Sequence, residues 1–299
     1  MARQNRRSAG RRGGRHSRKR DTGKWAKVAG VVALPVVALG VGGFAMNAYL
    51  GIEQADAAYC YARSDQHQSA IFLDNSLTQL TEPQFRDYRM GYAQAYEQAP
   101  PNTRFFFFST AADVQASLVK PIFTICKPPA TPHEQQATGA PDKPAPYLAR
   151  RALEAREVFD KAAEKMIADA QDPEKAAGDS PILEQLQAIS RFDGFSGTSR
   201  SLTVISDGIQ NTEIARFCQV QGDMPPYEVF AQRPAFQVVK PDPFTGTAVS
   251  MLLVESVKLP QLGLDYCTHS EMRAWWPAYF KGNGAGRVEL TRLRHWAGS

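Results

Sequence analysis

The sequence predicts an α/β fold: a doubly wound, mostly parallel sheet with helices on both faces. Three observations carry the prediction. Continuous apolar runs recur at 70–73, 103–110, 201–208 and 247–257, as expected of strands covered on both sides. Helical-period stretches lie between them, so strand and helix alternate along the chain. Two of the runs deliver oxygen-bearing side chains, Asp74 after the first and Ser206-Asp207 at the end of the third. In open α/β sheets, ligands collect at the carboxyl ends of the strands.

The chain begins outside that pattern. Residues 1–27 hold eleven Lys/Arg against one acid, Asp21, and are too polar and glycine-rich to fold alone. The whole chain of 299 residues has a net charge of +5, so everything after the tail is mildly acidic. The basic pI therefore gives no support for nucleic-acid binding by the folded part. The tail itself reads as a topogenic signal that touches anionic lipid.

Residues 28–46 carry no charge and reach about 28 Å as a helix, close to the thickness of a bilayer's hydrocarbon. Trp25 and Tyr49 flank the stretch at interfacial positions. A transmembrane helix is expected over 28–48, uncleaved, with cations before it and Glu53 and Asp56 after it. That charge asymmetry puts the N-terminus in the cytoplasm. The expected protein is thus single-pass in an inner membrane, with a connector at 49–68 that is helical in part. A periplasmic or otherwise extracytoplasmic domain follows over 69–299.

Cys60, Cys126, Cys218 and Cys267 all follow the span. An even number outside the cytoplasm is compatible with disulfides, and the spacing is far too wide for a zinc knuckle. Four cysteines allow three pairings, and the sequence does not choose among them.

Within the domain, the strand at 70–73 leads into Asp74-x-Ser76-x-Thr78, three hard oxygen ligands at alternate positions. Thr81 caps a helix to about Gln98, with Phe85, Tyr88, Tyr92 and Tyr96 on its apolar face. Residues 117–125 read as a short edge strand because of Pro121. Residues 127–146 hold six prolines and read as a surface excursion. A long amphipathic helix follows over 147–170, its apolar face assigned to Leu148, Leu153, Val158, Phe159, Ala162, Met166 and Ile167. Ser180 then reads as the N-cap of a helix over 178–192, with Pro181 as its first residue. After the strand ending at Gly208, a short helix is expected over 213–218. Residues 220–243 are not assigned. A strand at 247–257, a helix from Ser270 to about Lys281 and a strand at 288–293 complete the chain. The glycine-rich 282–286 follows a helix and reads as its terminator.

Three separated phrases, Asp74-x-Ser76-x-Thr78, Ser180-Pro-Ile-Leu and Ser206-Asp207-Gly208, occur in order at predicted element ends. Together they resemble the metal-ion-dependent adhesion site of the von Willebrand factor A domain. That family has DxSxS after its first strand, a threonine at a helix start and a T/S-D-G phrase after its fourth strand. Here Thr78 stands for the last serine and Ser180 for the threonine, and both keep a hydroxyl. The resemblance implies a divalent cation, Mg²⁺ (or Mn²⁺ or Ca²⁺), held by Asp74, Ser76, Thr78, Ser180 and Asp207. It also implies a partner protein whose carboxylate completes the coordination, so that the chain binds and does not turn over; the expected membrane topology places that role in a cell-envelope assembly. Hard cations match such oxygen donors.

One alternative is a phosphatase resembling the haloacid dehalogenases, with Asp74 as nucleophile and Ser206 in the second motif. Ser76 stands where that family keeps its general acid, so the proton donor is missing. The other is a scaffold with a vestigial metal site. His67, His133, His269 and His295 lack partners at ligand spacing.

Overall fold

The computed structural model describes residues 55–61, 66–75, 80–110, 120–138, 142–172, 179–218, 224–255 and 269–293. The basic tail and the expected membrane span lie outside these residues. Among the described residues, no helix is long and apolar enough to cross a membrane.

Six strands form one sheet: β1 (Gln68–Leu73), β2 (Arg104–Ser109), β3 (Phe123–Cys126), β4 (Arg200–Ser206), β5 (Thr247–Val254) and β6 (Arg287–Leu293). Their order is β3-β2-β1-β4-β5-β6. All neighbours are parallel except β2 and β3. β1 lies at the centre, pairing Leu73 with Ser109 on one side and with Ile205 on the other. The chain winds outward from β1 to β2 and β3, then crosses to β4, so the order reverses between β1 and β4. That reversal is the topological switch point of an open sheet.

Burial explains which runs became which strands. From Ala70 to Leu73 and from Phe105 to Phe108, β1 and β2 are buried without a break. β6 alternates between exposed and partly buried positions, the pattern of a strand with one wet face. β3 begins two residues after Pro121 and pairs antiparallel at the edge, where a missing N–H is tolerated.

The helices are α1 (Glu82–Gln98), α2 (Pro132–Thr138), α3 (Ala145–Gln171), α4 (Ile182–Ser190), α5 (Tyr227–Phe230), α6 (Pro234–Val239) and α7 (His269–Gly282). One core joins Phe72, Phe108, Val204 and Met251 to Leu186 of α4 and to Trp276 and Phe280 of α7. The other joins Ile71, Phe107 and Leu252 to Tyr88 and Tyr96 of α1 and Phe159 of α3. Tyr96 stacks on Phe105 at 5.6 Å between ring centroids, and Phe159 meets Phe105 edge-on at 4.9 Å. Gln84 starts α1 by accepting the Thr81 N–H at 2.9 Å. Its amide also donates to the Glu255 and Leu293 carbonyls, which fixes the helix start over the ends of β5 and β6.

Several expectations need correction. Ser180 is not a cap: α4 starts at Ile182, and Ser180 forms a two-way backbone bridge with Asn211 at 3.0 Å each way. A residue before proline favours extended backbone, and that suits the bridge. No helix forms over 213–218. Asn211 bridges to Arg216, and the Phe217 N–H donates to the Gln210 carbonyl. Phe217 and Cys218 are thereby drawn into the core, and tertiary packing overrides local propensity. The excursion at 127–146 contains α2, whose start carries a Thr131-x-x-Glu134 cap. Thr131 Oγ1 accepts the Glu134 N–H, and Glu134 Oε2 accepts the Ala130 N–H. Leu153 is 68% exposed, because the buried stripe of α3 runs through Leu148, Ala155, Phe159, Ala163, Met166 and Ala170. Residues 55–61 of the connector form a turn organised by Asp56, whose Oδ1 accepts the Ala58 and Cys60 N–H groups.

Cys60 and Cys126 form a disulfide that joins this turn to the end of β3. Cys218 is also disulfide-bonded, with its partner outside the described residues.

Candidate metal centre

Asp74 is the first residue past β1, and the sheet holds it from both sides. Its N–H donates to the Ile205 carbonyl at 2.9 Å, and the Thr110 N–H donates to the Leu73 carbonyl at 3.4 Å. The side chain is completely buried. Its Oδ2 accepts two hydroxyls, Ser180 Oγ at 2.9 Å and Ser206 Oγ at 2.8 Å. Thr110 Oγ1 stands 3.5 Å from Oδ1 and accepts the Asn75 N–H at 2.6 Å. Ser109 Oγ donates to Asn75 Oδ1, also at 2.6 Å. The ends of β1, β2 and β4 and the residue two before α4 therefore meet around one carboxylate.

Ser206 closes β4, and Asp207 follows it. Asp207 Oδ1 accepts the Ile209 N–H, and Ser206 Oγ accepts the Gly208 N–H, both at 2.9 Å. Gly208 is required here. Its φ is +77°, and a Cβ would stand 2.5 Å from Trp276 Nε1, which donates to the Gly208 carbonyl. Gln210 ties this loop to the start of α4. Its Oε1 accepts the Leu183 N–H, and its Nε2 donates to Glu184 Oε2 and Thr212 Oγ1.

The electrostatics follow from burial. Enclosure of the Asp207 carboxyl, and next the charge of Asp74, push its pKa from 3.8 to about 7. The Ile209 N–H pulls the other way without compensating. The like charges of the two acids oppose each other, and a proton or a cation would relieve that repulsion. Among the described residues, no three His, Cys, Asp or Glu side chains converge, so a cation here would depend on hydroxyl oxygens as well.

Of the five predicted ligands, Asp74 and Ser180 are in direct contact, and Asp207 lies within electrostatic reach of Asp74. Ser76 and Thr78 lie outside the described residues. The sequence reading missed Thr110 and Ser109, whose signal was the hydroxyl pair that ends the apolar run of β2. It also missed the Ser206–Asp74 bond, which depends on β1 and β4 being neighbours. His67 stands before β1, at the other end of the sheet, with its ring nitrogens 2.8 Å from Ser199 Oγ and 3.0 Å from Ser201 Oγ. Burial lowers its pKa. Set against family models and curated proteins, the chain matches none.

Proposed function

We propose that this chain is a membrane-anchored, von Willebrand A-like binding module that uses a divalent cation to engage a carboxylate of a partner protein. One observation carries the reading: a buried Asp74 that gathers hydroxyls from two other segments beside a second acid, Asp207, whose pKa is raised toward neutrality. The strand order, with this cluster at the switch point, supports it further. Asp74 and Asp207 would supply negative charge, and Ser180, with Ser76 and Thr78, neutral oxygens. Mg²⁺ is the cation that such a hard donor set suits best, with Mn²⁺ or Ca²⁺ as substitutes. When bound, it would relieve the repulsion between the two acids and present positive charge to the partner. The protein's own residues would hold the two carboxylates in place, and their oxygen donors would favour hard cations over soft ones.

Calorimetric titration of the full chain with Mg²⁺ and Mn²⁺ tests this. Saturable binding is expected, abolished in Asp74→Ala. Absence of binding in the unmodified chain contradicts the reading and leaves a scaffold. Turnover of a phosphate ester that depends on Asp74 would point to the phosphatase-like alternative.

A further inference from the structure

Three segments meet at the centre, and they are not held alike. Asp74 leaves β1 between two paired strands, so the sheet fixes it. Ser180 and Asp207 sit in loops, and their spacing depends on what ties one loop to the other. One tie is the two-way backbone bridge between Ser180 and Asn211. Another is the side chain of Gln210, three residues after Asp207 and completely buried.

α4 starts without a cap of its own. Its N-cap is Pro181, which has no side-chain oxygen, so the N–H groups of the first turn need an acceptor from elsewhere. Gln210 Oε1 takes that place, accepting the Leu183 N–H at 2.8 Å from a different loop. Its Nε2 donates to Glu184 Oε2 at 2.8 Å and to Thr212 Oγ1 at 2.9 Å. Thr212 Oγ1 in turn donates to Glu184 Oε1 at 2.6 Å, which closes a ring of three side chains. Next to Asp207 on the same loop, the Gly208 carbonyl accepts from Trp276 Nε1 at 3.2 Å. Asp207 therefore lies on a short stretch pinned both to α7 and to the start of α4.

We propose that Gln210 is a positioning residue that sets the size of cation the centre accepts. By locking the Asp207 loop to the start of α4, it fixes the spacing of Ser180 and Asp207 and favours Mg²⁺ over Ca²⁺. Mg²⁺ demands near-octahedral oxygens at about 2.0–2.1 Å, whereas Ca²⁺ accepts looser shells at about 2.3–2.6 Å, so rigidity discriminates between them. The proposal rests on the cation-binding reading above. It goes beyond that reading by naming the residue that decides among hard cations sharing one donor set.

Calorimetric titration of the full chain in detergent micelles, with Mg²⁺ and separately with Ca²⁺, tests it. The unmodified chain should bind Mg²⁺ more tightly. Gln210→Met keeps the length of the side chain and loses its hydrogen bonds. It should weaken Mg²⁺ binding about tenfold and change Ca²⁺ binding by no more than about twofold. Thr212→Val removes two bonds of the ring at a partly buried site and should shift the ratio the same way by less. That variant carries the test if Gln210→Met does not fold. Lys127→Met, at the opposite end of the sheet, should leave the ratio unchanged. A shift there too would make the ratio a readout of stability and overturn the proposal. Equal loss of both cations in the Gln210 and Thr212 variants, or no loss, overturns the selectivity role and leaves the cation site standing. So does tighter binding of Ca²⁺ than of Mg²⁺ by the unmodified chain. If neither cation binds the unmodified chain, the cation reading fails first and this proposal falls with it.

Discussion

The two ends of the central sheet solve the problem of buried polar groups in opposite ways. At the amino end of β2, near Cys126, a lysine, an asparagine and several backbone groups are matched within the protein. Lys127 Nζ donates to the carbonyls of Tyr96, Glu97 and Ala99 at 2.8–2.9 Å, which closes the carboxyl end of α1. The Asn102 side chain, on a residue with φ +62°, accepts the Tyr61 N–H and donates to the Tyr61 carbonyl, each at 3.2 Å. The Cys60–Cys126 bond locks the same turn covalently. At the carboxyl end of β1 and β4, hydroxyls converge on Asp74, yet a second acid, Asp207, lies within its electrostatic reach and has its pKa raised by burial and by that charge. One end is closed by internal partners. The other carries a charge conflict that an external cation would resolve, and functional sites are where folds tolerate such conflict.

Breaking the closed end should have the largest effect on stability and the least on ion binding. Replacing Cys60 and Cys126 by serine is expected to cost about 2–5 kcal/mol in urea unfolding, since the bond spans 66 residues. Calorimetric Mg²⁺ affinity should stay the same. A parallel fall in affinity would mean that the two ends are coupled. Gly208→Ala should cost about 1–3 kcal/mol, from the positive φ and the clash with Trp276. Unlike the cysteine change, it should also weaken Mg²⁺ binding, because it displaces Asp207.

These two substitutions also mark how far the sequence could be read. β1, β2, β4 and β5 are legible as buried apolar runs, of which Phe105–Phe108 is an example, whereas of the strand expected over 117–125 only the part from Phe123 is strand, and Lys120–Ile122 are not. Asp74 and Asp207 were legible as acids leaving such runs. The partners of Asp74 were not, since a hydroxyl finds its acceptor through strand order and through the Ser180–Asn211 bridge, which link residues over a hundred positions apart. The helix expected over 213–218 failed for a related reason. Local propensity there is weak, while the Gln210 carbonyl, the burial of Phe217 and the Cys218 disulfide impose a bend. By contrast, the Thr131-x-x-Glu134 cap of α2 is a purely local signal, legible in the sequence among the prolines of the excursion.

Smaller effects sharpen the same contrast. Lys127→Met should lower stability by about 1 kcal/mol, as three helix-end carbonyls lose a charged donor and gain only partial access to water. Asp207 should give the mildest signal, a pH slope. Its pKa is raised on folding, so its stabilising contribution is complete below about pH 4 and is lost as pH rises through about 7. Urea midpoints of the metal-free protein should therefore fall across that window relative to Asp207→Asn. Saturating Mg²⁺ should flatten the difference.

The most direct test of the central claim is anomalous diffraction from crystals of the protein soaked in Mn²⁺. The account predicts one strong peak beside Asp74, Ser180 and Asp207, with at least one protein oxygen at roughly the 2.0–2.6 Å of hard-cation coordination. A peak only elsewhere on the surface, or none at saturating Mn²⁺, would contradict it.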